Sequence, residues 1–391
     1  MSERMVGNSM KRFLSILLTL IVLLSGCGKS ADTDTVSQEM KLLDGFSDTQ
    51  YNPETDSQYY WKGVQNVMSV KGKYYMNVDG YLYCIDAANS EMHQVCSKGG
   101  CRHNTADCDS YLGDVNFLQY YDGYFYYIIF DDTDDEDNKG ATLYRRTFDG
   151  LVEEMVCRLF ERGECYSLCI HRGYVYFSLE NDKENVLYRM KPDKASIPEE
   201  LFTYDTKRSA FITGISGYGD GVLIQTIFLV HVMLTNYSLI CYNLYYYDNS
   251  EDETYLVKKN ICCNFCNYAN NYAIADDKLY YFEKDGVYQY DISSKKERLF
   301  YPADDERLEV SYDGRYLYFD NSLKIKPDNE HSIYVFDTNG KHIDTISVPL
   351  YSNPFGDTEY LFYGNYGACY VLDKKQIGSR QKDWTKFLFF D

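Results

Sequence analysis

Past residue 26 this 391-residue chain has no apolar run long enough to cross a membrane; the richest stretch, 222–239, is interrupted by Gln225, His231, Thr235 and Asn236 and reads as paired strands. Positive charge is scarce: 39 Lys and Arg stand against 59 Asp and Glu, a formal net charge of −20, and no basic cluster follows Lys11-Arg12. A phosphate backbone needs a basic footprint, so nucleic acid is excluded as a partner, while cations, basic peptides and neutral glycans suit such a surface. Acidity also keeps an exported chain soluble, and that plainer reading stays open. Helical periodicity is almost absent after residue 45, which argues against the alternating strands and helices of a transporter's solute-binding lipoprotein. Catalytic motifs are missing too. None of the six histidines, His93, His103, His171, His231, His331 and His342, stands in a nucleophile motif, and Gly214-Ile215-Ser216-Gly217 lacks the second glycine of a nucleophile elbow.

What is present begins with Leu24-Ser25-Gly26-Cys27, directly behind the apolar run 13–23, a pattern that resembles a bacterial lipobox. Lys11 and Arg12 supply a positive leader, the apolar run is too short to span a bilayer, and small residues precede a cysteine able to carry lipid on its thiol. The resemblance implies a signal peptide over 1–26, lipidation of Cys27, and an extracytoplasmic protein anchored at the outer leaflet of the bacterial cytoplasmic membrane, facing the cell surface. An ordinary secretory signal or a short anchor helix are the alternatives. Residues 27–57, polar and rich in Asp, Ser and Thr, read as the lipidated cysteine and a flexible tether. A coil of that length would hold the remaining domain, 58–391, on the order of 30 Å from the lipid.

That domain repeats itself. A turn with Gly or Asp leads into an aromatic strand of the form Tyr-x-Tyr, then a second strand and a polar turn. First strands of the repeat are 73–76, 124–128, 174–177, 222–225, 278–282, 316–319 and 368–372, and second strands include 81–86, 143–150, 186–190, 287–291 and 333–337. Phe125, Tyr127 and Ile129 lie on one face of their strand and Tyr124, Tyr126, Ile128 and Phe130 on the other, so both faces must be covered. A two-sheet sandwich leaves one face wet, whereas a propeller blade is clamped between neighbours. The fold class expected is therefore all-β, a seven-bladed β-propeller, with six or eight blades as alternatives. Unit two parses as 116–121, 124–130, 142–148 and 152–159. The last unit ends at 385–390 as a third strand without a fourth, and Gln58-Tyr59-Tyr60-Trp61 is a spare strand, so Tyr59 to Trp61 are expected to zip against Phe387 to Phe390 and close the ring.

Leu143-Tyr144-Arg145-Arg146-Thr147-Phe148-Asp149-Gly150 resembles the Ile-x-Arg-x-x-Leu-Asp-Gly half of the YWTD-type propeller repeat of lipoprotein-receptor ectodomains. Tyr-Trp-Thr-Asp itself occurs nowhere, and only Leu187-Tyr188-Arg189 echoes the arginine elsewhere. The chain is similar to bacterial lipoproteins with receptor-like, tyrosine-rich propellers over about 64–391, a resemblance that implies fold rather than activity.

The most specific local cluster is Cys96-Ser97-Lys98-Gly99-Gly100-Cys101-Arg102-His103-Asn104-Thr105-Ala106-Asp107-Cys108, with spacing C-x4-C-x-H-x4-C. Cys96, Cys101, His103 and Cys108 can complete a tetrahedral zinc shell, closed and hence structural. An exported chain can instead oxidise two of these thiols, or leave all of them unbonded. Cys165 and Cys169 fall between units two and three, and Cys262, Cys263 and Cys266 form a second thiol cluster between units four and five. In an up-and-down blade these links emerge on one face of the disc, which metals or disulfides would stiffen for recognition. The acidic run 131–138 lies on that face, and Asp132, Asp134 and Glu136 are calcium candidates outside any EF-hand pattern; a solvated loop is the simpler reading. Of 42 tyrosines most fit blade packing, while Tyr245, Tyr246, Tyr247 and Tyr351 are candidates for an exposed binding platform. The reading is a lipid-anchored binding or scaffold module for a peptide, protein or glycan; the alternative is a propeller enzyme acting on extracellular polysaccharide or peptide.

Overall fold

The computed structural model describes residues 40–57, 67–113, 115–131, 139–165, 167–180, 184–205, 211–231, 238–263, 272–283, 285–303, 308–321, 330–349, 355–365 and 368–389. They form a seven-bladed β-propeller. Each blade is a four-stranded antiparallel meander, A to D in sequence order, over 67–94, 116–160, 168–205, 211–263, 272–302, 309–349 and 355–388. The requirement for two covered faces is met blade by blade: seven apolar clusters lie one between each pair of neighbours, including blade 7 against blade 1.

Tyrosine supplies much of that packing because its ring fills the wedge and its hydroxyl reaches a polar strand end. Tyr74, Tyr127, Tyr176, Tyr242, Tyr272, Tyr280 and Tyr281 are fully buried. So are Tyr245, Tyr246 and Tyr247, at 2%, 0% and 2% exposure, which removes them as a binding platform; the third strand of blade 4 has a neighbour on either side. Tyr351 lies outside the described residues. Polar side chains also stitch adjacent blades. Gln119 stands in for a peptide group, its amide donating to the Leu168 carbonyl at 3.0 Å and accepting from the Ile170 N–H at 2.8 Å.

Blade 7 differs from the sequence expectation. It has four strands, Phe355–Gly356, Tyr360–Asn365, Ala368–Asp373 and Thr385–Leu388, so 368–372 is its third strand and 385–388 its fourth. A two-residue first strand leaves no periodic trace in the sequence. Among the described residues the last blade meets the first through side chains: Phe387 and Phe389 enter the cluster of Tyr74, Met76, Tyr83 and Ile85, and the Tyr83 hydroxyl donates to the Phe389 carbonyl at 2.7 Å. The partner expected for this strand, Tyr59 to Trp61, lies outside the described residues.

The segment 40–57 also behaves differently from a tether. Leu42 forms a parallel bridge with Leu256 on the outer strand of blade 4, with backbone bonds of 3.0 and 2.9 Å on either side. Phe46 then packs edge-on against Tyr218 and Tyr246. The backbone continues over the A–B turns of three blades, bonding Asp220 through Ser47, Arg172 through Thr55 and Asp122 through Glu54. Arg172 holds this strap with ion pairs to Asp48 at 2.8 Å and to the buried Asp56 at 2.9 Å. One face of the disc is thus closed by tight turns and the strap. The other face carries the B–C loops and the D–A links.

Candidate metal centre

The link from blade 1 to blade 2, residues 95–115, lies on that second face and is folded onto blade 1. Leu82 N–H bonds the Ser110 carbonyl at 2.7 Å, Leu112 N–H bonds the Gly80 carbonyl at 2.7 Å, and Tyr81 bridges Tyr111. Gly80 sits at φ 84°, and a Cβ there would come within 3.0 Å of the Tyr111 ring, so the close approach requires glycine. Lys98 pairs with Asp109 at 2.9 Å, and the Ser97 hydroxyl donates to the same carboxylate at 2.7 Å. These bonds bend the link into a loop whose ends meet.

Inside that loop the sulfurs of Cys96, Cys101 and Cys108 and a ring nitrogen of His103 lie within 4.8 Å of one another. A tetrahedral zinc with Zn–S bonds of about 2.3 Å holds its ligand atoms about 3.8 Å apart, so the donor set fits a four-coordinate ion. His103 turns Nδ1 toward the Cys108 sulfur at 3.4 Å, a left-handed backbone at φ 56° aiming the ring inward. Backbone N–H groups point at the sulfurs as well: His103 N–H donates to Cys101 Sγ at 3.4 Å, and Lys98 and Asp109 do the same for Cys96. Such donors orient and stabilise thiolates. Burial pushes the Cys96 thiol up, but those two N–H bonds, together with contacts from the Cys108 and Cys101 side chains, leave the group below its ordinary value. The Cys101 thiolate is favoured by His103 N–H, yet burial and the two neighbouring sulfurs leave it raised. Sulfurs gathered this closely repel one another as thiolates, and a divalent metal would supply the compensating charge. Cys108 is buried and touches the Ser110 hydroxyl at 2.9 Å; the other three ligands are half-buried.

The structure joins these four expected residues and separates the others. Cys262 is not part of a second thiol cluster: it is disulfide-bonded to Cys241, with Cα atoms 4.1 Å apart. The two stand directly opposite on the last two strands of blade 4, a pairing set by register, which sequence spacing alone does not reveal. Cys263 ends the same strand, and Cys266 lies outside the described residues. Cys165 and Cys169 remain free, and burial pushes both thiols up to about 12, as suits inert interior groups. Asp132, Asp134 and Glu136 lie outside the described residues, as does Cys27. A polar cluster that the sequence reading missed joins blades 6 and 7 around buried Lys374, Asp313 and Asp357. Its trace is the repeat Asp313-Gly-Arg-Tyr316 and Asp357-Thr-Glu-Tyr360 after two first strands.

No family model and no curated protein matches this chain. Among solved structures, prolyl oligopeptidase B from Galerina marginata is similar at a TM-score of 0.51 and 10% identity, covering 85% of this chain and 52% of that one, about half its length. Apo AztD from Citrobacter koseri aligns at 16% identity and a TM-score of 0.36 over 72% of each chain. TolB from Acinetobacter baumannii aligns at 12% identity and a TM-score of 0.36, over 81% of this chain and 79% of that one. At these identities the likeness is one of fold alone.

Proposed function

We propose that this protein is a lipid-anchored, extracytoplasmic binding or scaffold module whose ligand, a peptide, protein or glycan, docks on the loop-bearing face, and that a structural zinc ion held by Cys96, Cys101, His103 and Cys108 stiffens that face. The convergence of three sulfurs and one imidazole within 4.8 Å carries the reading. With four protein ligands the ion has no open position, so it shapes the link rather than catalysing a reaction. A rigid rim presents its loops already ordered, which lowers the entropy lost on binding. The Cys241–Cys262 disulfide suits an oxidising compartment, where clustered thiols persist best when metal-bound.

The full chain purified under non-reducing conditions should contain one zinc ion, with Cys96, Cys101 and Cys108 protected from alkylation until a chelator is added. Metal-free protein with two of these cysteines disulfide-bonded would overturn the zinc reading. A photo-crosslinking residue at exposed Arg102 should capture a cell-envelope partner, whereas one at exposed Lys71, on the turn face, should not.

A further inference from the structure

Lys374 is 1% exposed and directly follows the third strand of blade 7. Its ammonium contacts Asp313 Oδ2, donates to the Asp357 carbonyl oxygen and faces the Tyr318 ring at 5.0 Å. Asp313 is 3% exposed and belongs to the A–B turn of blade 6. A Cβ on neighbouring Gly356 would come within 3.1 Å of the Lys374 nitrogen, so a glycine makes room for it. Amine and carboxyl are therefore held together in a site closed to water.

The surroundings of Asp313 are unequal at its two oxygens. Oδ1 accepts the N–H groups of Arg315 and Tyr316, both at 2.7 Å, and Oδ2 accepts the Tyr318 hydroxyl at 2.6 Å. Two backbone donors on one oxygen are the arrangement that stabilises a developing oxyanion. The other oxygen has a hydroxyl beside it able to pass a proton. Asp357 repeats this arrangement, its Oδ1 accepting the Glu359 and Tyr360 N–H groups at 2.8 and 3.0 Å and its Oδ2 the Tyr74 hydroxyl at 2.6 Å, with Ser69 at 3.2 Å. The lysine meets its main-chain oxygen and not its carboxylate, so Asp313 is the carboxyl in reach.

We propose that Lys374 and Asp313 condense to an intramolecular isopeptide bond that ties blade 7 covalently to blade 6. Burial disfavours the charged lysine, and a proton passing to Oδ2 leaves a neutral amine against a carboxylic acid. The amine lone pair attacks the Asp313 Cγ and the carbonyl electron pair moves onto Oδ1, where the two N–H groups receive it. A second proton travels from nitrogen to Oδ2 through the Tyr318 hydroxyl. The C–Oδ2 bond breaks, Oδ2 leaves as water, and the carbonyl re-forms. Ammonium and carboxylate become an amide and one water, with no oxidant or other reactant.

Trypsin digestion of the denatured full chain decides the matter. With the bond present, peptide 308–315 should emerge joined to peptide 342–375, cleavage after Lys374 should be blocked, and the joined mass should fall below the sum of the two by one water, about 18 Da. Asp313→Ala should abolish the joined species and restore cleavage at Lys374. Recovery of 308–315 and 342–374 as separate peptides from the unaltered protein would overturn the proposal, whether or not the variant folds.

Discussion

Cys108 is the buried member of the candidate donor set, so Cys108→Ala is the most informative test of the proposed zinc centre. Bound zinc should drop from one ion per chain to a small fraction of that, read by metal analysis, while the remaining blades keep their strand signal in circular dichroism. His171 allows a separate test. Its Nδ1 accepts the Ser57 N–H at 3.1 Å and its Nε2 faces the Gly219 carbonyl at 2.9 Å, as a neutral ring does with its proton on Nε2. Burial holds its pKa below the ordinary 6.5. The unfolded chain then binds the extra proton first, so the contribution of this ring is complete above pH 6.5 and drains away as pH falls toward the lower folded value. Urea midpoints should decline over that interval and flatten in His171→Gln. The thiol–imidazole cluster was legible because all four ligands fall within thirteen residues of sequence. Cys241 and Lys374 were not, since each meets its partner only through strand register or blade adjacency.

Strands and links carry the next level of cost. Phe387, 6% exposed, belongs to the final strand and plugs the seam between the last blade and the first. Phe387→Ala should destabilise the protein by about 3–5 kcal/mol, through a cavity at the seam, in denaturant titration. Arg172→Ala acts on the strap, leaving buried Asp56 without its cation at a cost of about 3 kcal/mol. Limited proteolysis should then cut within 40–57 before any blade is nicked. Most blade strands were readable from Tyr-x-Tyr runs bounded by Gly and Asp turns. The strap was not: its composition is that of a coil, and what orders it is complementarity to turns 68 to 173 residues later in the chain.

For the molecule as a whole, one physical inference carried the architecture, that strands apolar on both faces must be clamped between like neighbours. The inequality of the two faces was only half visible, because loop lengths can be counted in sequence but the strap's position cannot. If the reading of the leader is right, Cys27→Ser should move the protein from the membrane pellet to the soluble fraction, detected by immunoblot. Retention in the pellet would refute lipid anchoring.

The parallel bridge between Leu42 and Leu256 has a mechanical meaning. Were the protein anchored through Cys27 as proposed, a pull along the chain would first meet the outer strand of blade 4, where the Lys41–Glu253 pair and the flanking backbone bonds hold the strap. Phe46 and then the Arg172 clasp follow along the chain and would have to be peeled before tension reached the first strand of blade 1. Under that proposal the strap would act as a shock absorber, lengthening in stages while the wheel behind it keeps its shape.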